Sequence, residues 1–495
     1  MCRVLPDAAL HPPPTRDRLV DFVRGASILV VVVGHWLMAV ITWDGATMAV
    51  DNVLRHLEGA WIATWLLQVM PLFFFVGGFS NLRSLDSAAR RREPYSVWVS
   101  RRVRRITRPT FAFLAIVLPI VGILEAAAVT SLGDTTLLLT QLFWFFGVYL
   151  GIIALAPAML AWHRRHGAAV LAILLGAAAV GDVARYATGY NFAAFTNFAA
   201  VWLFAHQLGY FYAEGRIRRR TAGLMAVGGL LALTILVAFG PYPQSMVGLP
   251  GQESNMTPPT LAIASLTVWQ AGLILLLRPA MNRWLEKPLP WRGVVLANSV
   301  IMTLLLWHLP VLLLVSRVTI WLTPPRPEVG TGSWWLMLPG VLAIQTLVLT
   351  VVVLALRRFE RPSPDPPAFP IEAGTGVAAL GVSLLVLGFL GFALTGPWGY
   401  LSGAGTSFGP LEVGPLSSLA YLGLGGLLVR ASYRERNQLQ RALSVTMAAL
   451  VGLILIDLSG TRLAELLAVN GPDAVLHGAL AVATVTVGIS VRRAG

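Results

Sequence analysis

The stretch Arg18-Leu19-Val20-Asp21-Phe22-Val23-Arg24-Gly25-Ala26-Ser27-Ile28-Leu29 runs on through four valines into Gly34-His35-Trp36. A hydrocarbon core of about 30 Å is crossed by about 20 mostly apolar residues, so this run reads as a first membrane helix. Ionisable side chains inside such a helix are costly and usually face a partner or a functional cavity. At about 1.5 Å and 100° per residue, the steps from Arg24 to His35 make about three turns and leave both side chains on one face about 16 Å apart. Asp21, three residues before Arg24, lies within reach of the guanidinium, with an ordinary place at the membrane surface as the equal alternative. A lone histidine on an apolar helix is more often packed than catalytic, so the pair takes its meaning from the rest of the chain.

The chain of 495 residues is 56% hydrophobic and 12% charged, with a mean hydropathy of +0.71. That is too apolar for a soluble globular protein and predicts an all-α polytopic membrane protein. The net charge of +14 would suit a nucleic-acid partner only if it were gathered on one surface; its distribution follows loop topology instead, so no nucleic acid is expected. The single cysteine, Cys2, excludes an internal disulfide and a cysteine-based metal site. Neither zinc spacing nor a phosphate-cradling glycine loop is present, and no metal or resident cofactor is expected. Residues 1–41 are too long in their apolar part for a secretory signal and contain Arg24, which marks a retained helix.

Spans are predicted near 20–42, 60–82, 106–129, 137–162, 168–187, 195–215, 221–240, 260–280, 293–321, 334–357, 373–395, 415–431, 441–459 and 474–491, fourteen in all. Short cytoplasmic loops are enriched in Lys and Arg. With the N-terminus inside, 32 of the 37 basic residues fall on the inner side, and only Arg55, Arg185, Arg317, Arg326 and Arg462 fall elsewhere. Both termini are therefore expected in the cytoplasm. The proline-rich residues 359–372 divide a ten-helix unit, 1–358, from a four-helix unit, 373–495. Asp182 and Arg185 read as a surface pair, and Asn255-Met256-Thr257 as a glycosylation sequon on the outer side.

The Arg24-to-His35 stretch, with its Asp21 and Gly25, resembles the first helix of the membrane acyltransferase type 3 family, which carries an arginine, ten residues and a histidine. Met70-Pro71-Leu72-Phe73-Phe74-Phe75-Val76-Gly77-Gly78-Phe79 is similar to the family's second helix. That helix usually has Ser-Gly where this chain has Gly77-Gly78, so a role for the serine hydroxyl does not carry over, while close backbone packing at Gly78 does. Arg101-Arg102-Val103-Arg104-Arg105, Phe143-Trp144-Phe145 and Trp307-His308-Leu309-Pro310 are similar in position and type. The resemblance covers residues 18 to about 358.

The resemblance implies transfer of an acyl group, often acetyl, from cytoplasmic acyl-CoA to a hydroxyl of a glycan, lipid or secondary metabolite, at the cell membrane. The donor would be a co-substrate, and the other partners an acceptor and membrane lipid. Arg24, with Arg105 as a second cation, suits a phosphate. His35 suits the proton of the attacking hydroxyl, because an imidazole is neutral near pH 7. Phe74 and Gly78 would support the site, and His206 and His308 are candidates for an acceptor path or for plain interhelical hydrogen bonds. The competing reading is a proton-coupled transporter in which His35, His206, His308 and Asp457 relay protons; the unequal ten-plus-four division argues against it.

Overall fold

The computed structural model describes residues 16–43, 47–127, 129, 133–189, 194–249, 251–322, 327–360, 374–403 and 405–493. Cys2, Arg326 and residues 361–373 of the proline-rich stretch lie outside them. The chain opens with α1 (Arg18–Met38), β1 (Ala39–Trp43), β2 (Met48–Asn52), the short α2 (Trp61–Leu67) and α3 (Met70–Arg90). It continues with α4 (Tyr95–Ala126), α5 (Gly133–Thr140), α6 (Phe143–His166), α7 (Ala169–Thr188), α8 (Asn197–Ala213) and α9 (Arg219–Phe239). Next come α10 (Leu261–Leu285), α11 (Pro288–Ser299), α12 (Ile301–Leu322) and α13 (Gly332–Leu356). The last part holds α14 (Gly374–Thr395), β3 (Thr406–Phe408), β4 (Leu411–Val413), α15 (Pro415–Ala431), α16 (Arg436–Asp457), α17 (Arg462–Leu467) and α18 (Gly471–Arg493).

The fold is that of an all-α polytopic membrane protein, 78% helical, and its strands form only two two-stranded sheets among the described residues. Twelve of the described helices are long and apolar enough to cross a membrane. The two other expected spans coincide with α8 and α15, each of 17 residues. The first helix ends at Met38 rather than near 42, because the β-branched run Val40-Ile41-Thr42 enters β1. Arg101 to Arg108 lie within α4, which begins just after Pro94. The ninth expected span is broken into α11 and α12 at Val300, whose ψ of 18° leaves the helical region.

The described residues group into two compact units. The first draws on Met1–Thr42, Val50–Ser84 and Ala156–Arg358, and the second on Trp43–Ala49, Leu85–Leu155 and Phe359–Gly495. This grouping differs from a cut at the proline-rich stretch, since α4, α5 and the start of α6 join the C-terminal helices. Specific contacts account for it. Ser100 donates to the Val429 carbonyl at 3.3 Å, Thr140 to the Phe392 carbonyl at 2.8 Å, and Tyr400 to the Leu118 carbonyl at 3.0 Å. Glu125 accepts from the backbone N–H groups of Gly399 and Leu401. Phe143 meets Phe389 edge-on at 5.5 Å.

In the first unit α8 is the central element, with every residue from Ala200 to Ala213 buried. It crosses α3 where Gly78 and Gly209 lie backbone to backbone: a Cβ on Gly78 would run into the His206 carbonyl, and one on Gly209 into the Phe75 carbonyl. Small residues allow such close approach between membrane helices. Phe74, wholly buried, stacks on Trp202 at 4.7 Å, and Phe75 stacks on Tyr212 at 5.6 Å. By contrast α9 and α13 expose large apolar side chains, Phe239 and Leu336 most of all, as helices facing lipid do.

An alanine at an open helix position normally stabilises by about 0.5–1 kcal/mol over glycine. Gly228→Ala, where a Cβ meets nothing within 4 Å, should hold or raise the thermal unfolding midpoint in detergent. Gly78→Ala should lower it, by an overpacking cost of about 1–3 kcal/mol.

Candidate active site

The start of α1 is fixed from both ends of one carboxylate. Asp17 Oδ1 accepts from the N–H groups of Leu19 and Val20 at 3.1 and 3.4 Å, capping the helix. Its Oδ2 accepts from Tyr212 Oη at 2.6 Å and from Arg278 Nη2 at 3.3 Å. About two turns on, Gly25 lies under the side chain of Asn298 on α11, where a Cβ would come within 2.9 Å of its amide nitrogen. That amide donates to the Asp21 and Val294 carbonyls, both at 2.9 Å. The glycine after Arg24 is thus what lets α11 close on α1.

The Asp21 side chain accepts from Arg16 Nε at 2.5 Å, with Arg24 Nη1 at 3.8 Å. Arg24 Nη2 donates to Ser80 Oγ at 2.6 Å, and Ser80 in turn donates to the Val76 carbonyl one turn back. Around this point stand Arg18, which donates to the Leu285 carbonyl and lies over Trp291, and Arg83 over Phe79. Arg278 lies over Tyr212. One end of the first unit therefore gathers Arg16, Arg18, Arg24, Arg83 and Arg278, with Asp17 and Asp21 paired among them. The helices alternate in direction, so the start of α1 and the ends of α3, α8 and α10 meet here.

Since α1 is unbroken from Arg18 to Met38, His35 keeps its place on the face of Arg24, about 16 Å along the axis. It is half-buried, and its Nδ1 is 3.1 Å from Nε2 of His308, which is fully buried on α12. His308 Nδ1 is 2.8 Å from the Leu305 carbonyl, and Trp36 Nε1 donates to the His308 carbonyl at 3.0 Å. The Val31 carbonyl, one turn back on α1, also accepts from the His35 ring, and His308 is the one side chain hydrogen-bonded to that ring among the described residues.

The other expected site residues are dispersed. His206 is fully buried; Asn81 lies 3.0 Å from its Nε2, and its Nδ1 has no partner among the described residues. Arg105 is exposed on α4, in the second unit. Asp457, also in the second unit, accepts from His477 Nδ1 at 2.7 Å, while His477 Nε2 accepts from Tyr421 Oη at 2.5 Å. Ser80, Asn81 and Asn298 carry no signal of their own in the sequence, because a polar residue on an apolar helix does not reveal its partner.

Asp182 and Arg185 are not a surface pair. Both are buried: Asp182 accepts from Asn197, Tyr242 and the Leu261 N–H, and Arg185 reaches Glu253 and the Ser254 carbonyl. Burial first, and then the Asp182 carboxylate, hold the Tyr242 phenol above its ordinary range, so it stays protonated and donating. The sequon at Asn255 is closed as well, because its amide donates to the Pro243 and Ser245 carbonyls and accepts from Thr260.

Residues 18–358 match the family model described as an acyltransferase domain. Residues 375–490 match a second model, a domain of unknown function (DUF4383). No curated protein matches the chain, and no solved structure does.

Asn81→Ala leaves a fully buried imidazole nitrogen without its partner, which costs about 1–3 kcal/mol. The thermal midpoint in detergent should fall accordingly, while activity per folded molecule should be unchanged, because His206 is sealed between α3 and α8.

Proposed function

The chain belongs to the membrane acyltransferase 3 family and is a multi-pass membrane acyltransferase, and from that premise we propose that it transfers an acyl group, acetyl foremost, from acyl-CoA to a hydroxyl of a glycan, lipid or secondary metabolite. One observation carries the reading: a single unbroken helix bears Arg24 at the arginine-rich end and, on the same face, His35 against the imidazole of His308. Acyl-CoA has matching ends, a phosphate-bearing head and a thioester at the tip of a long arm.

The arginine-rich end is read as cytoplasmic, in the cell membrane, with both termini on that side. Arg24 holds phosphate oxygens through its planar fork. Its Nη2 is aimed by Ser80 and its charge is only loosely compensated by Asp21 at 3.8 Å. His35 Nε2 takes the proton of the acceptor hydroxyl as that oxygen attacks the thioester carbon. The tetrahedral intermediate then expels the CoA thiolate, and the proton passes from His35 to the sulfur, leaving the ester, free CoA and a neutral imidazole. The transporter reading has less support, since His206 is sealed off and Asp457 is engaged by His477.

Purified protein incubated with [14C]acetyl-CoA and an extract of envelope glycans, lipids and metabolites should move label to an extractable ester. His35→Ala should cut the rate by about 100-fold or more, and a wild-type rate would remove the base from the mechanism. Arg24→Ala should raise the apparent KM for acetyl-CoA about 10- to 100-fold, the loss of a charge-assisted hydrogen bond; an unchanged KM would exclude the phosphate role.

A further inference from the structure

We propose that His308 is a positioning residue that fixes the tautomer of His35, so that Nε2 of His35 is the basic atom. This rests on the reading of His35 as the general base. The direction of the hydrogen-bond chain follows from its terminus. A carbonyl oxygen only accepts, so the 2.8 Å contact with Leu305 puts a proton on His308 Nδ1. His308 is fully buried and no carboxylate touches it among the described residues. An unpaired buried imidazolium is strongly disfavoured, so His308 is neutral and its Nε2 holds a lone pair. The 3.1 Å contact then requires His35 Nδ1 to be the donor. The Val31 carbonyl, four residues back on the same helix and so within reach of Nδ1, accepts from the same ring, and a neutral His35 with its proton on Nδ1 has its lone pair on Nε2.

The chain therefore runs from His35 through His308 to Leu305, and every member but the first is buried. Trp36, the residue after His35, donates to the His308 carbonyl, which ties the α12 backbone to α1 at this level. When His35 takes the acceptor's proton, His308 Nε2 receives a charge-assisted hydrogen bond from the imidazolium. A neutral imidazole here does the orienting work that a carboxylate does in the Ser-His-Asp arrangement. It also leaves no negative charge beside the site where a thiolate departs.

Two substitutions separate this role from packing, because the asparagine amide overlies the imidazole Nδ1 and the glutamine amide overlies Nε2. His308→Asn keeps a donor for Leu305 and loses the acceptor for His35; His308→Gln keeps the acceptor. With [14C]acetyl-CoA and the envelope extract, His308→Asn should lower kcat by about 100-fold or more, while the KM for acetyl-CoA stays within about threefold. His308→Gln should recover to within about 10-fold of the wild type. Equal losses in the two variants, or a loss carried by KM, would overturn the positioning role, and so would an asparagine variant as active as the wild type. His35→Ala run alongside keeps the two claims apart. If it is inactive while His308→Asn is normal, only the role of His308 fails; if it is fully active, the base itself is wrong. Size-exclusion profiles of each variant in detergent restrict the comparison to folded protein, and if the asparagine variant does not fold, the glutamine variant decides alone by its rate.

Discussion

Inside a bilayer a polar side chain has no water to turn to, so it must find its partner on another helix. In the first unit that constraint sets the positions of the helices. Arg24 meets Ser80, His206 meets Asn81, Asn298 meets the Asp21 carbonyl, and His35 meets His308. Each is a bond between helices, and at Gly25 and Gly78 the neighbouring helix comes so close that a Cβ would not fit. Packing of apolar side chains distinguishes poorly among helices that are all apolar. These few bonds supply the discrimination, and α1 is held at three depths by them.

Much of the site's near half is legible in the chain itself. Helical geometry alone sets Arg24 and His35 on one face, and the loop arginines count out the helices well enough to bring the start of α1 to the same end as Arg83 and Arg278. The far half is not legible, for a physical reason. His35 and His308 are 273 positions apart, and nothing in hydropathy says which of the intervening helices returns to α1. Trp307-His308-Leu309-Pro310 could only be marked as similar in type, because a histidine before a proline looks the same whether it lines a path or supports a neighbour. The burial of Asp182 and Arg185 is hidden in the sequence for the related reason that two opposite charges one turn apart look self-sufficient. In fact both are drawn inward by the loop between α9 and α10.

The helix inventory shows the same division between local and non-local information. Local chemistry decides that α1 gives way to β1 at a β-branched run and that Pro94 precedes the start of α4, and such features account for the shifted boundaries. The break at Val300 and the burial of α8 from Ala200 to Ala213 depend on neighbours. So does the grouping of α4 and α5 with the C-terminal helices: the compact units divide at Arg358 and Phe359 as the two matched families do, yet the second unit also takes Leu85–Leu155 from within the first family.

That last feature bears on how the protein is made. Ribosomes deliver the chain from its N-terminus, so α4, α5 and the start of α6 enter the membrane more than two hundred residues before α14 and α15 exist. Ser100, Thr140, Glu125 and Phe143 must wait in lipid for the partners that later cover them. The second unit is therefore closed only near the end of synthesis, and the C-terminal family, whatever else it does, has the standing of an intramolecular assembly partner for helices that belong by sequence to the acyltransferase.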